Sequence, residues 1–80
     1  MDSIRQRLEN CFTAVFPALE KAHIDRADMA SVEGWDSVAT VTLMAVIQEE
    51  FGMEFSADEL GLLISFDSIL NVLKNRGFEV

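Results

Sequence analysis

Ser37 follows Asp36 directly, and the pair stands where a helix should begin. Asp is a strong N-cap: its carboxylate accepts a free backbone N–H of the first turn. With Asp36 in that role, the Ser37 hydroxyl is left to face solvent. A helix N-terminus also favours an attached anion, because unpaired N–H groups and the macrodipole stabilise negative charge there. A phosphodiester on the Ser37 oxygen would be well placed. The ordinary alternative is that Ser37 merely helps to cap the helix. Hydrolysis is the other chemistry a serine offers, but its hydroxyl needs an adjacent base to become a nucleophile. The only histidine, His23, lies fourteen residues away in the sequence. No GxSxG elbow surrounds Ser37, which sits in Gly34-Trp35-Asp36-Ser37-Val38. A Ser37–His23–Asp hydrolase site is therefore the weakest reading, and the chain is not expected to be an enzyme.

The elements that must position Ser37 are helical almost throughout. Ser3 and Gln6 have capping-box spacing, and Ile4, Leu8, Cys11 or Phe12, and Val15 recur at helical intervals. Pro17 ends this first helix. Residues 17–36 then form a long connection, and loops of this length in a small domain are usually functional or disordered. A second helix runs from Asp36–Ser37 to Gly52, a good residue for the position after a helix end. Ser56-Ala57-Asp58-Glu59 is a full capping box opening a short third helix limited by Gly61. Ser65 caps a last helix carrying Phe66, Ile69, Leu70 and Leu73 and ending at Gly77, with Lys74 and Arg76 placed to complement its dipole. No strand alternation or repeat appears. The fold class is all-α: three main helices plus one short one, in a single domain over residues 1–80.

The second helix is apolar on more than one side. With Ser37 at 0° and about 100° per residue, Leu43, Ile47, Phe51 and Met44 fall between about 240° and 340°, where the core should lie. Val41, Ala45 and Val38 fall at about 40°, 80° and 100°, beyond that stripe and beside Ser37. Such a helix is either buried twice or meets a partner. A small bundle has little protein to bury it twice, so this strip, flanked by Gln48 and Glu49, reads as a docking surface. Isolated exposed apolar residues are the plain alternative.

Gly34-Trp35-Asp36-Ser37-Val38, then Val41 and Leu43, Glu49-Glu50-Phe51-Gly52, Glu54-Phe55 and Asp58-Glu59 resemble the acyl carrier protein family. The resemblance covers essentially the whole chain: helix, long loop, Asp-Ser helix, short helix, final helix. It implies a four-helix acyl-carrier-like bundle with Ser37 as the attachment site of 4′-phosphopantetheine. Asp36 would be read by a phosphopantetheinyl transferase using Mg²⁺ and coenzyme A. Val38, Val41, Ala45 and Glu49 would contact partner enzymes that load and transfer an acyl or aminoacyl group held as a thioester. In carriers of this family an acyl chain folds back between the second and third helices. Here Met44, Ile47, Phe55, Leu60, Leu63 and Ile64 would line such a cleft, a tightly packed core being the alternative. Val38 replaces the usual Leu, and Ala39, Thr42 and Gln48 stand where fatty-acid-synthesis carriers often have acids. The second helix is therefore less acidic than in those proteins, and the Trp35-Asp36-Ser37 form looks more like stand-alone carriers from specialised pathways, such as polyketide, lipid-modifying or amino-acid-loading systems.

Composition bounds these readings. An 80-residue chain buries only about 60–65% of its unfolded surface, so one small core is what it can build. One Cys excludes an internal disulfide and suits a reducing compartment. Fourteen acids face six bases. Between Arg26 and Lys74 there are nine acids and no Lys or Arg. That field repels nucleic-acid backbones and attracts basic protein surfaces. Six Phe and one Trp argue against disorder. The longest stretch free of Asp, Glu, Lys and Arg, Ser37–Gln48, falls short of the roughly 18 residues a bilayer span needs. Arg5 and Arg7 precede an apolar run, but Asp2, Glu9 and Pro17 break the pattern of a leader, so a cytoplasmic monomer is expected. The acidic cluster Glu49, Glu50, Glu54, Asp58 and Glu59 reads as a solvated face, without EF-hand spacing. Cys11 and Phe51 read as core, and Trp35 as an anchor for the long loop. A small acidic helical interaction module without a prosthetic group fits size, charge and strip equally well; only the placing of Ser37 favours the carrier.

Overall fold

The computed structural model describes residues 3–78; positions 1–2 and 79–80 of the expected domain, including Asp2, lie outside the described residues. Four α-helices appear in chain order: α1 (Ile4–Val15), α2 (Ser37–Phe51), α3 (Ala57–Leu60) and α4 (Phe66–Asn75). Each begins at the side-chain cap its sequence announces. Ser3, Asp36, Ser56 and Ser65 accept from the backbone N–H of Gln6, Ala39, Glu59 and Ser68, respectively. At α3 the box closes both ways, since the Glu59 carboxylate also accepts from the Ser56 N–H at 2.8 Å. α2 ends at Gly52, whose φ of 61° is the left-handed geometry that glycine adopts without a Cβ clash.

One element departs from the sequence reading. The long connection contains a 3₁₀ helix, Lys21–Arg26. Its sequence carries no side-chain cap and alternates charged with apolar residues, so it has no local signature. Tertiary anchoring makes it: Ile24 is fully buried, and Ala27 at its end is buried beside it. The Phe66 N–H then donates to the Ala27 carbonyl at 2.9 Å, and the Met29 N–H donates to the Ile64 carbonyl at 2.8 Å. These bonds flank an isolated antiparallel bridge, Asp28 to Ser65, that pins the loop to the start of α4. Among the described residues there is otherwise no extended pairing.

One core joins all of this. Ile4, Leu8, Cys11 and Phe12 of α1 meet Leu43, Ile47 and Phe51 of α2 and Phe66, Ile69, Leu70 and Leu73 of α4. Phe12 is its centre, edge-on to Trp35 at 5.5 Å and to Phe66 at 5.3 Å between ring centroids. Aromatic pairs prefer such edge-to-face geometry, worth about 0.5–1.5 kcal/mol beyond burial. α3, by contrast, buries none of its four residues. Among the described residues no helix is long and apolar enough to cross a membrane.

Glu49, Glu50, Glu54 and Asp58 are exposed, in keeping with a solvated acidic face, and two ion pairs tie that face to the rest of the bundle. Arg7 on α1 donates from Nε to the Glu50 carboxylate at 2.8 Å and from its terminal nitrogen to the Glu50 carbonyl at 2.6 Å. Its guanidinium also lies over the Phe51 ring, 4.4 Å from the centroid. Arg76 grips the Glu59 carboxylate with two N–H donors. It was expected to complement the dipole of α4, but its long side chain reaches α3 instead. The two bonds and the capping-box N–H together hold the Glu59 carboxyl down at about 2, against an ordinary 4.5.

Candidate functional site

The geometry around Ser37 begins at Trp35. The indole is 4% exposed and packs on Phe12 and Phe16. Its Nε1–H donates to the Thr40 hydroxyl at 2.9 Å, and that hydroxyl donates to the Asp36 carbonyl at 3.0 Å. Gly34, at φ 86°, makes the turn that brings the indole inward. Trp35 thus anchors the loop, as its sequence position suggested, and it also fixes the first turn of α2. The Trp35–Thr40 bond was not foreseen. The five-residue spacing, one helical turn beyond the cap, is the signal that would have found it.

On that fixed start, Asp36 and Ser37 divide their roles. Asp36 Oδ1 accepts from the Ala39 N–H at 2.9 Å, and the Asp36 carbonyl accepts from the Thr40 N–H at 2.9 Å. Ser37, the first helical residue, is exposed. Its hydroxyl sits beside N–H groups that have no partner inside the helix. A covalently attached phosphate fits there: the hydroxyl is accessible, no buried partner must be displaced, and the local dipole favours the charge.

The strip beside Ser37 lies in the open. Val38 is 74% and Val41 59% exposed, and Ala45 and Glu49 are exposed one and two turns further on. From Ser37 to Glu49 the strip runs about 18 Å at ~1.5 Å per residue. Leu43, Ile47 and Phe51 are buried on the other side, as the helical angles required. Leu60, Leu62 and Ile64 add exposed apolar surface around α3.

The residues expected to line a cleft between α2 and α3 divide. Ile47 and Leu63 are packed in the core, 0% and 2% exposed. Met44 and Phe55 are half-buried against it, and Leu60 and Ile64 face outward. The path through Ile47 and Leu63 is closed in this structure. Gln48 caps the α2–α3 loop instead of joining the docking strip, its side-chain oxygen accepting from the Phe55 N–H at 3.0 Å.

The remaining candidates have structural surroundings. His23 sits on the 3₁₀ helix with Nδ1 3.9 Å from the Glu20 carboxylate. Cys11 is buried, and that burial, reinforced by the charge of Glu50 and opposed by Arg7, pushes its thiol up to about 11. Among the described residues no group of three or more His, Cys, Asp or Glu side chains is arranged to hold a metal.

Compared with known proteins, the chain matches no family model, no curated protein and no solved structure.

Proposed function

We propose that this chain is a carrier protein of the acyl-carrier type, a four-helix carrier bundle in which Ser37 bears 4′-phosphopantetheine. The observation that supports this best is the division of labour at the start of α2. Asp36 caps the helix, so Ser37 needs no partner and presents its hydroxyl at the positive end of the dipole. In the modification, Ser37 Oγ forms a new bond to the phosphate that carries pantetheine in coenzyme A. The pyrophosphate bond breaks, adenosine 3′,5′-bisphosphate leaves, and the serine proton passes to a base on the transferase. The bound group supplies a thiol that holds an acyl cargo as a thioester. The chain's own residues do the rest. Asp36 and Trp35 hold Ser37 in place, and Val38, Val41, Ala45 and Glu49 offer partners an apolar strip bounded by negative charge. The acidic field attracts enzymes with basic surfaces.

The test is intact mass after incubation of demonstrably unmodified protein with coenzyme A, Mg²⁺ and a promiscuous phosphopantetheinyl transferase. One phosphopantetheine should be gained and map to Ser37, and Ser37→Ala should fold normally yet gain none. A folded wild-type chain that gains nothing would refute the carrier and leave an acidic interaction module using the same exposed strip.

A further inference from the structure

The turn that joins α3 to α4 is made of residues that turns ordinarily avoid. Gly, Pro, Asn, Asp and Ser dominate such positions. Here Leu60, Leu62 and Ile64 follow one another, 44%, 48% and 51% exposed, and of the stretch Leu60–Ile64 only Leu63 is buried in the core. Met29 joins them: its N–H donates to the Ile64 carbonyl at 2.8 Å, and it too is exposed. The ridge they form is held in place. The Leu62 N–H donates to the Glu59 carbonyl at 2.9 Å, and the Ser68 hydroxyl donates to the Leu62 carbonyl at 2.6 Å. Single exposed apolar residues are ordinary, whereas a fixed run of them marks an interaction surface.

Gly61 stands between Leu60 and Leu62, and nothing in this chain asks for it. Its φ of −69° and ψ of −12° are ordinary right-handed geometry open to any residue. A Cβ there would meet nothing within 4 Å. Glycine carries an entropic penalty on folding, so its use at such a position needs another reason. Between two exposed leucines it leaves a gap in which a side chain of another molecule can come close to the backbone.

The charges around the ridge select what fits. Asp58 precedes it and Asp67 follows it, both exposed. Between Arg26 and Lys74 the sequence has no Lys or Arg, and Arg76, reaching α3 from the end of α4, is already paired with Glu59. An anionic membrane surface is repelled by such a rim. A second copy, itself at a net charge of −8, brings the same acids against their like. The Leu62 N–H and the Leu62 and Ile64 carbonyls are already bonded, so an added strand finds no free edge. A helix satisfies its own backbone and brings side chains alone.

We infer that the ridge of Leu60, Leu62 and Ile64 is a docking site for a helix of a partner protein whose apolar face is bordered by Lys or Arg. One apolar side chain of that helix seats in the gap at Gly61, and the bordering cations meet Asp58 and Asp67. This surface lies on a different element from Ser37 and Val38, and the inference stands whether or not Ser37 is modified.

The test uses the unmodified chain and a synthetic helical peptide of leucine and lysine, roughly 18 residues or five turns long. Its control replaces every lysine by glutamate. Saturable NMR shifts from the lysine peptide should fall on Met29, Leu60, Leu62 and Ile64, and the glutamate peptide should bind at least about tenfold more weakly. Gly61→Gln and Leu62→Ser change exposed positions, so both should keep the wild-type urea midpoint yet lose about tenfold in affinity. Shifts confined to Val38 and Val41, equal binding of the two peptides, or a Gly61→Gln chain that binds as wild type would overturn the inference. So would the same residues being covered instead by phosphatidylglycerol vesicles, or by a second copy in sedimentation of the free chain.

Discussion

Replacing Trp35 should cost more than its place in a loop suggests. The indole is buried against Phe12 and Phe16, and its N–H is bonded to Thr40. Trp35→Phe keeps an aromatic ring but loses that bond, a net of about 0.5–1.5 kcal/mol, and part of the ring volume besides. We expect a total of about 1–2 kcal/mol for this variant. Trp35→Ala opens a cavity under the loop at about 3–5 kcal/mol. An 80-residue domain has only about 4–12 kcal/mol in all, so Trp35→Ala should be close to unfolding. With a urea slope near the ~1 kcal/mol/M expected of small proteins, the midpoints fall by about 1–2 M and 3 M or more. Urea unfolding followed by circular dichroism reads this, because the sole tryptophan is itself removed. Thr40→Val supplies the cross-check. It strands the indole N–H at about 1–3 kcal/mol, and that penalty should vanish in the Trp35→Phe background. If Trp35→Ala lay within about 0.5 kcal/mol of wild type, the range usual for surface changes, the account of how α2 is positioned would be refuted.

Two further expectations concern the caps. Asp36→Ala should cost about 1 kcal/mol through loss of the Ala39 N–H partner, while Asp36→Asn keeps the cap. Urea midpoints read the stability. If the transferase reads the carboxylate, Asp36→Asn is modified more slowly at unchanged stability, and an unchanged rate would remove Asp36 from recognition. At α3, the Glu59 carboxyl lies at about 2 in the folded chain and at its ordinary 4.5 when unfolded. A depressed carboxyl stabilises the fold above the higher value, and this contribution is lost as pH falls from about 4.5 through about 2. The gap in melting temperature between wild type and Arg76→Gln should therefore narrow across that window. A gap that stays constant with pH would show that the pair does not hold α3.

Local signals and long-range packing divided the work in a way that follows from reach. Ser3, Asp36, Ser56 and Ser65 each act on an N–H three residues ahead. A cap of that kind operates within one turn, so the helix starts could be read from the chain. Gly52, at the end of α2, was legible for the same reason, its left-handed φ being a property of one residue. The division between a capping Asp36 and an exposed Ser37, and the angles that leave Val38 and Val41 outside the core, are likewise local geometry.

Tertiary structure decided the rest. Arg7 finds Glu50 across 43 residues and Arg76 finds Glu59 across 17. Nothing in either arginine's neighbourhood names its partner, because the pairing exists only once helices are packed. The 3₁₀ helix forms around Ile24, which has a place to be buried only after α1 and α4 meet. By itself the sequence determined where the helices begin and which hydroxyl is left over. Only packing, which brings distant segments within contact distance, decided which charges pair and where the long loop is pinned.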